Sequence, residues 1–290
     1  MNDFNPAAFS NAVADVAEQV AAVTASFATH HGRTASAFHW RDGLFVAAEE
    51  TVEPDEQVEL TLGSGETVQV ELAGRDPSTG IALFRPATTP HLPLLQKAGA
   101  VRPGNLVVAA GRDGDNELAV LGTVGEVGPA WRSLRGGAID RRINLAVAAG
   151  GRFEGGPVTD LGGALVGMLV FGPRGRALVI PFETIERTVA VLLEKGHVSR
   201  GYLGAGLHPV RDGEVRGAMV MSLDDAGPAK SAGLALGDIV TAWNGEAVRG
   251  PRELIRRLGP DSAGTTVTLS VVRGGEARDV TITIGEKPLS

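Results

Sequence analysis

The sequence predicts a mainly β protein closed by a smaller α/β unit, and three observations carry that prediction. The 290 residues include 40 glycines with no collagen-like period, which suits a turn-rich architecture of many short strands. From Val23 onward, short apolar or alternating runs are cut repeatedly by Gly, Pro, Asp and Asn. Near residues 195–200 the pattern changes character and a second unit begins. With 43% hydrophobic and 21% charged residues, the chain can bury a proper core and is not a disordered polymer. A net charge of -7 gives no general attraction for nucleic acid or an anionic membrane. The arginines at 132, 135, 141 and 142 are broken by Gly and Asp and read as solvated surface. The absence of cysteine excludes disulfides and thiolate metal sites.

The elements follow in order. Asn5-Pro6 is a helix start, and Phe9, Val13, Val16 and Val20 recur at helical spacing to about residue 21. This helix packs on its own domain or, alternatively, makes a subunit contact. The first stretch, "MNDFNPAAFSNAVADVAEQV" with Phe4 near its start, has no basic n-region and no unbroken apolar run. A cytoplasmic, membrane-free protein is therefore expected. "GLFVAAEETV", "QVELTLGSGETVQVEL", "IALFRP", "NLVVAAG" and "ALVGMLV" read as strands, with "LGSGET" as a hairpin turn. "PFETIERTVAVLLEKGH", residues 181–197, is a helix with Ile185, Val189 and Leu192 on one face and Lys195-Gly196 at its end. After it come "RGYLGAGL", "AGPAKSAGLALGDIVTAWNGEAV", a helix "PRELIRRLG" and a closing strand pair "TTVTLSVVRGGEARDVTITI". The expected organisation is a helical segment at 1–22, a first domain at 23–196 and a second at 197–290.

The motifs in this order resemble the HtrA family, trypsin-like serine proteases followed by a PDZ domain. "AGPAKSAGLALGDIVTAWNGEAV" at 226–248 is similar to that family's PDZ signature, and "RGYLGAGL" at 200–207 to the strand and loop that open the domain. "GGRFEGGPV" at 150–158 resembles the loop that presents the catalytic serine. "GRDPSTGIALFRP" resembles the segment bearing the aspartate, and "VRPGNLVVAAGR" a neighbouring strand. The resemblance implies a trypsin-like double β-barrel followed by a small α/β PDZ domain.

It also assigns positions. The histidine of the catalytic triad falls on Glu50, the aspartate on Gly80 and the serine on Glu154, while the oxyanion-loop glycine falls on Arg152. Serine proteolysis needs a hydroxyl, a base in reach, a carboxylate orienting the base, and amide donors for the oxyanion. None of the three side chains matches, so the chain is expected to be a pseudoprotease and not an enzyme. Among six histidines none offers a substitute. His30 and His31 read as a loop tip before a metal ligand; His39, beside Trp40, reads as a satisfied core or edge residue.

The expected function is that of a binding or scaffold protein whose PDZ domain recognises protein or peptide C-termini. By resemblance the carboxylate meets the amides of Leu203, Gly204 and Ala205, with Tyr202 opening the loop. Leu254 and Leu258 would form the side-chain pocket, Leu254 being equally readable as core. No cofactor and no metal are expected, and a homo-oligomer is possible. One alternative is a serine endopeptidase with an unrecognised or altered site. Another is a cleft repurposed around Glu50 and Glu154, sharing a proton or, with Glu49, binding a divalent cation. The simpler expectation for the cleft is a salt bridge from Arg152 to one of the two glutamates.

Overall fold

A computed structural model describes residues 5–29, 32–53, 58–212 and 215–287. Its contacts divide the chain into two units: Met1–Trp131 with Ile139–His197, and Arg132–Ala138 with Val198–Ser290.

Unit one opens with α1, Pro6–Ala21. Asn5 caps it, its Oδ1 accepting from the amides of Ala7 at 3.0 Å and Ala8 at 3.2 Å, which satisfies two of the orphan donors of the first turn. The helix packs against the second barrel of its own unit with Val20 and Ala21 buried, as the sequence's simpler reading has it.

Two six-stranded antiparallel barrels follow. The first holds β1 (Thr24–Ala28), β2 (Thr34–His39), β3 (Phe45–Ala48), β4 (Val58–Thr61), β5 (Thr67–Asp76) and β6 (Ile81–Pro86). They run in the order β1-β2-β3-β6-β5-β4, closed by the β1–β4 pair. The hairpin read from "LGSGET" joins β4 to β5, with Gly65 at φ 82° making the turn. Inward-facing Phe27, Phe45, Leu60 and Phe84 fill this barrel, and each buried phenylalanine contributes about 2–3 kcal/mol.

The second barrel holds β7 (Leu106–Asp113), β8 (Asn116–Gly128), β9 (Arg142–Ala146), β10 (Pro157–Asp160), β11 (Leu165–Gly172) and β12 (Arg176–Pro181). Their order is β9-β12-β11-β10-β7-β8, closed by the β8–β9 pair. The core here is Val107, Val158, Leu169, Val179 and their neighbours. Helix α2, Phe182–Lys195, buries Ile185, Val189 and Leu192, and Gly196 ends it at φ 72°.

Unit two carries the strands β13 (Ala205–Asp212), β14 (Val215–Leu223), β15 (Ile239–Trp243), β16 (Thr266–Arg273) and β17 (Glu276–Thr283) in sequential order. The short helices α3 (Pro228–Ser231) and α4 (Pro251–Arg257) accompany them. Leu203, Ala218, Val240, Trp243, Leu254 and Leu269 belong to its core. Asp238 is fully buried there, held by Arg273 through two contacts of 2.7 Å. The expected fold, a mainly β double barrel followed by a small α/β unit, is what the chain adopts.

Candidate functional site

The loop bearing Glu154 is a 3-10 turn, Gly151–Phe153, between β9 and β10. Ser36 of the first barrel fixes it. Its hydroxyl donates to the Arg152 carbonyl at 2.6 Å and accepts from the Arg112 amide at 3.0 Å, while its own amide donates to the Glu154 carbonyl at 2.9 Å. Arg112, itself buried, donates to the Thr24 carbonyl at 3.1 Å. Inside the turn, the amide of Phe153 donates to the Gly150 carbonyl and that of Glu154 to the Gly151 carbonyl, each at 3.0 Å. The Glu154 amide is thereby committed to its own loop.

Glu50 stands on the 3-10 turn Glu49–Thr51 that follows β3. Glu50 and Glu154 line one groove of about 700 Å³, with Thr51, Glu53, Asp113 and Arg152 among its other walls. Burial is the main cause that pushes the Glu154 carboxyl above its ordinary value. The Phe171 amide, donating to Oε1 at 3.4 Å, opposes the shift, and the Glu50 charge adds to it.

The expected salt bridge is not the one that forms. Arg152 donates to Asp113 Oδ2 at 2.7 Å and leaves both glutamates. Asp113 is the better partner because the Thr34 hydroxyl, donating to Oδ1 at 2.7 Å, already orients it. That hydroxyl first, and Arg152 second, hold the Asp113 carboxyl below its ordinary value. The cation alternative loses its third ligand, since Glu49 is buried and pairs with Arg75 at 3.5 Å. Among the described residues no group of three or more His, Cys, Asp or Glu could hold a metal ion.

Gly80 does not line the groove. It closes the turn after β5 at φ 76°, donating its amide to the Asp76 carbonyl and accepting from the Glu49 amide, both at 2.9 Å. The left-handed backbone there favours glycine whatever the chemistry. His39 is satisfied as expected: Nδ1 meets the Pro93 carbonyl at 2.9 Å, and Nε2 accepts from the Gly43 amide at 3.3 Å. His30, His31 and Phe4 lie outside the described residues.

With Arg152 elsewhere, Glu154→Gln carries a defined pH signature. A carboxyl whose folded pKa is raised binds its proton more tightly in the folded state. Stability therefore falls as pH rises from the ordinary 4.5 through the raised folded value, and the penalty is complete above it. Glu154→Gln removes that penalty. The variant should melt at or above the wild-type temperature at pH 7, with the difference vanishing near pH 4. A variant destabilised at pH 7 would return Arg152 to Glu154.

In unit two, Leu203 is buried and its carbonyl accepts from the Ala229 amide at 2.8 Å. Gly204, at φ 69°, accepts from the Asp224 amide at 2.9 Å. Among the described residues the amides of Leu203 and Gly204 donate to no backbone or side-chain acceptor. Ala205 begins β13, a strand partnered on one side only, by β14. Tyr202 hydrogen-bonds Asp224 through its hydroxyl. Leu254 is wholly buried in the core, as its second reading had it, whereas Leu258, at the end of α4, is only half-buried against that core.

The fold defines two closed six-stranded barrels followed by a small α/β unit with an open sheet edge. Comparison with known proteins agrees: a trypsin-like peptidase domain matches residues 35–168, and a PDZ domain matches residues 201–284. The two matches follow one another along the chain, the peptidase-type domain first and the PDZ domain second. A "Probable periplasmic serine endoprotease DegP-like" of Brucella suis biovar 1 (strain 1330) is 33% identical over 267 residues, 85% of this chain and 51% of the relative. Its namesake in Rhizobium meliloti (strain 1021) is 30% identical over 269 residues, 87% of this chain and 53% of the relative. The chain thus spans about half the length of the curated relatives it matches. Among solved structures, the HtrA-type protease AlgW with decapeptide superposes with a TM-score of 0.70 at 19% identity, covering 96% of this chain and 99% of that one. The serine endoprotease from Yersinia pestis gives 0.70 at 21%, covering 95% and 98%.

Two expectations are corrected by these relatives. The chain was expected not to be an enzyme, yet proteins 30–33% identical over most of its length are named serine endoproteases. Unmatched side chains at aligned positions bear on one mechanism and do not define an activity class. A cytoplasmic address was expected, yet the same relatives are named periplasmic. Addresses are carried by processing segments, and the composition of folded domains does not record them. No helix among the described residues is long and apolar enough to cross a membrane.

Proposed function

We propose that this chain is a periplasmic HtrA-type protein that captures polypeptide C-termini through its PDZ unit and also carries a peptidase cleft of altered chemistry. The observation that carries the proposal is the pair of amides at Leu203 and Gly204 that have no acceptor among the described residues, set immediately before the open edge of β13. Backbone donors in a loop bind a carboxylate, and an open edge accepts the preceding residues as an added strand. Half-buried Leu258 is the candidate contact for an apolar terminal side chain. The similar AlgW structure was solved with a decapeptide, which favours the same ligand class here. Titration of the chain with one peptide as free acid and as amide tests the capture.

The relatives' names favour a second reading for the cleft, an endopeptidase whose active site is altered. Position 154 offers a carboxyl with a raised pKa beside Glu50, so acid–base chemistry by a carboxyl pair is what these residues can supply. Degradation of unfolded casein, followed in wild type and in Glu154→Gln, tests it. This reading expects hydrolysis that Glu154→Gln lowers by at least about 100-fold, the usual share of a general acid or base, and that serine-directed fluorophosphonates leave untouched. Equal rates in the two proteins, or stoichiometric fluorophosphonate labelling, would contradict it.

A further inference from the structure

We infer that Pro209 limits the length of peptide the PDZ unit reads, an inference that rests on the capture of C-terminal peptides proposed above. The direction of each backbone group on β13 follows from its neighbours. Val220 of β14 donates its amide to the Asp238 carbonyl at 2.8 Å and accepts from the Gly237 amide at 2.9 Å, both on the β15 side. Its backbone groups therefore point away from β13. Alternation gives Ala218, two residues earlier, the same direction. Val220 lies opposite Leu207, and Ala218 opposite Pro209. Both are then non-hydrogen-bonded pairs, and Leu207 and Pro209 turn their backbone groups to the open edge.

Those two positions differ completely in what they offer an added strand. Leu207 presents an amide and a carbonyl. Pro209 has no amide, and its carbonyl is already met by Nδ1 of His208 at 3.0 Å. Gly250, just before α4, stands close by: a Cβ on it would lie 4.0 Å from Pro209 Cβ. A peptide anchored by its carboxylate at Leu203 and Gly204 pairs along Ala205–His208, about four residues. At Pro209 the ladder stops.

The test uses the full chain and synthetic peptides of four, six and eight residues that share one sequence ending in valine, with binding read by fluorescence anisotropy. Wild-type affinity should be flat from four to eight residues. Pro209→Ala restores one edge amide. It should leave the tetrapeptide unchanged and tighten the octapeptide about threefold to tenfold, the worth of one net hydrogen bond. Wild-type affinity that climbs severalfold with length, a gain in the variant that is the same at every length, or no gain with the octapeptide would each overturn the inference. A tetrapeptide that binds no better than its amide would instead remove the capture on which the inference rests.

Discussion

Gly155→Ala is expected to collapse the double barrel. Gly155 stands at φ 83°, and a Cβ there would lie 2.2 Å from the Ser36 carbonyl oxygen and 2.9 Å from the Ala48 nitrogen. The left-handed backbone alone costs an L-residue roughly 1–2 kcal/mol. The two contacts are with backbone of the opposing barrel's strands β2 and β3, which cannot rotate away as a flexible side chain would. Together the terms exceed about 3 kcal/mol, a large share of the 5–15 kcal/mol typical of a folded domain. Gly156 is equally confined, since its Cβ would meet the Ala110 carbonyl at 2.0 Å. Thermal melts followed by circular dichroism should show the barrel transition lowered by about 10 °C or lost. A variant melting within about 2 °C of wild type would refute this account of the loop.

The same geometry explains why "EGGPV" is legible as a protease motif although Glu154 precedes it. Gly155 is held by the approach of the first barrel and Gly156 by the neighbouring strand β7 of its own barrel, demands independent of the residue that carries the chemistry. A resemblance built on Gly-Gly-Pro therefore reports the architecture faithfully and the chemistry only by the neighbouring position.

Local pattern made much of the fold readable. The Asn5 cap, the stripe of Ile185, Val189 and Leu192, the Gly196 stop and the hairpin at Gly65 are all short-range signals, and each element stands where its signal lies. What escaped reading is non-local. Ser36 gathers Arg112 and Glu154's loop across 76 and 116 residues of chain, and no spacing rule links them. Arg152 pairs with Asp113 and not with either glutamate because Thr34, on a different barrel, already orients that carboxylate. Gly80, which the resemblance sets at the aspartate position, stands in a turn at positive φ, a demand that spacing alone does not reveal. Pro209 carries no signal of its own in the sequence, and only the strand register shows which way its nitrogen faces.

Capture of free C-termini by Leu203 and Gly204 is the centre of the account, and replacing a terminal carboxylate by an amide tests it most directly. The free acid brings a full charge to two backbone donors that otherwise have no acceptor among the described residues. The amide keeps every other contact of the peptide and loses that charge. A charge-assisted hydrogen bond contributes about 1.5–3 kcal/mol, against about 1 kcal/mol for a neutral one. Two such bonds weakened together should lower affinity by about tenfold or more, from a starting dissociation constant on the order of micromolar. Isothermal titration of the full chain with the same valine-terminated peptide in both forms gives the answer. The account predicts micromolar binding of the acid and at least a tenfold loss for the amide; equal affinities would contradict it.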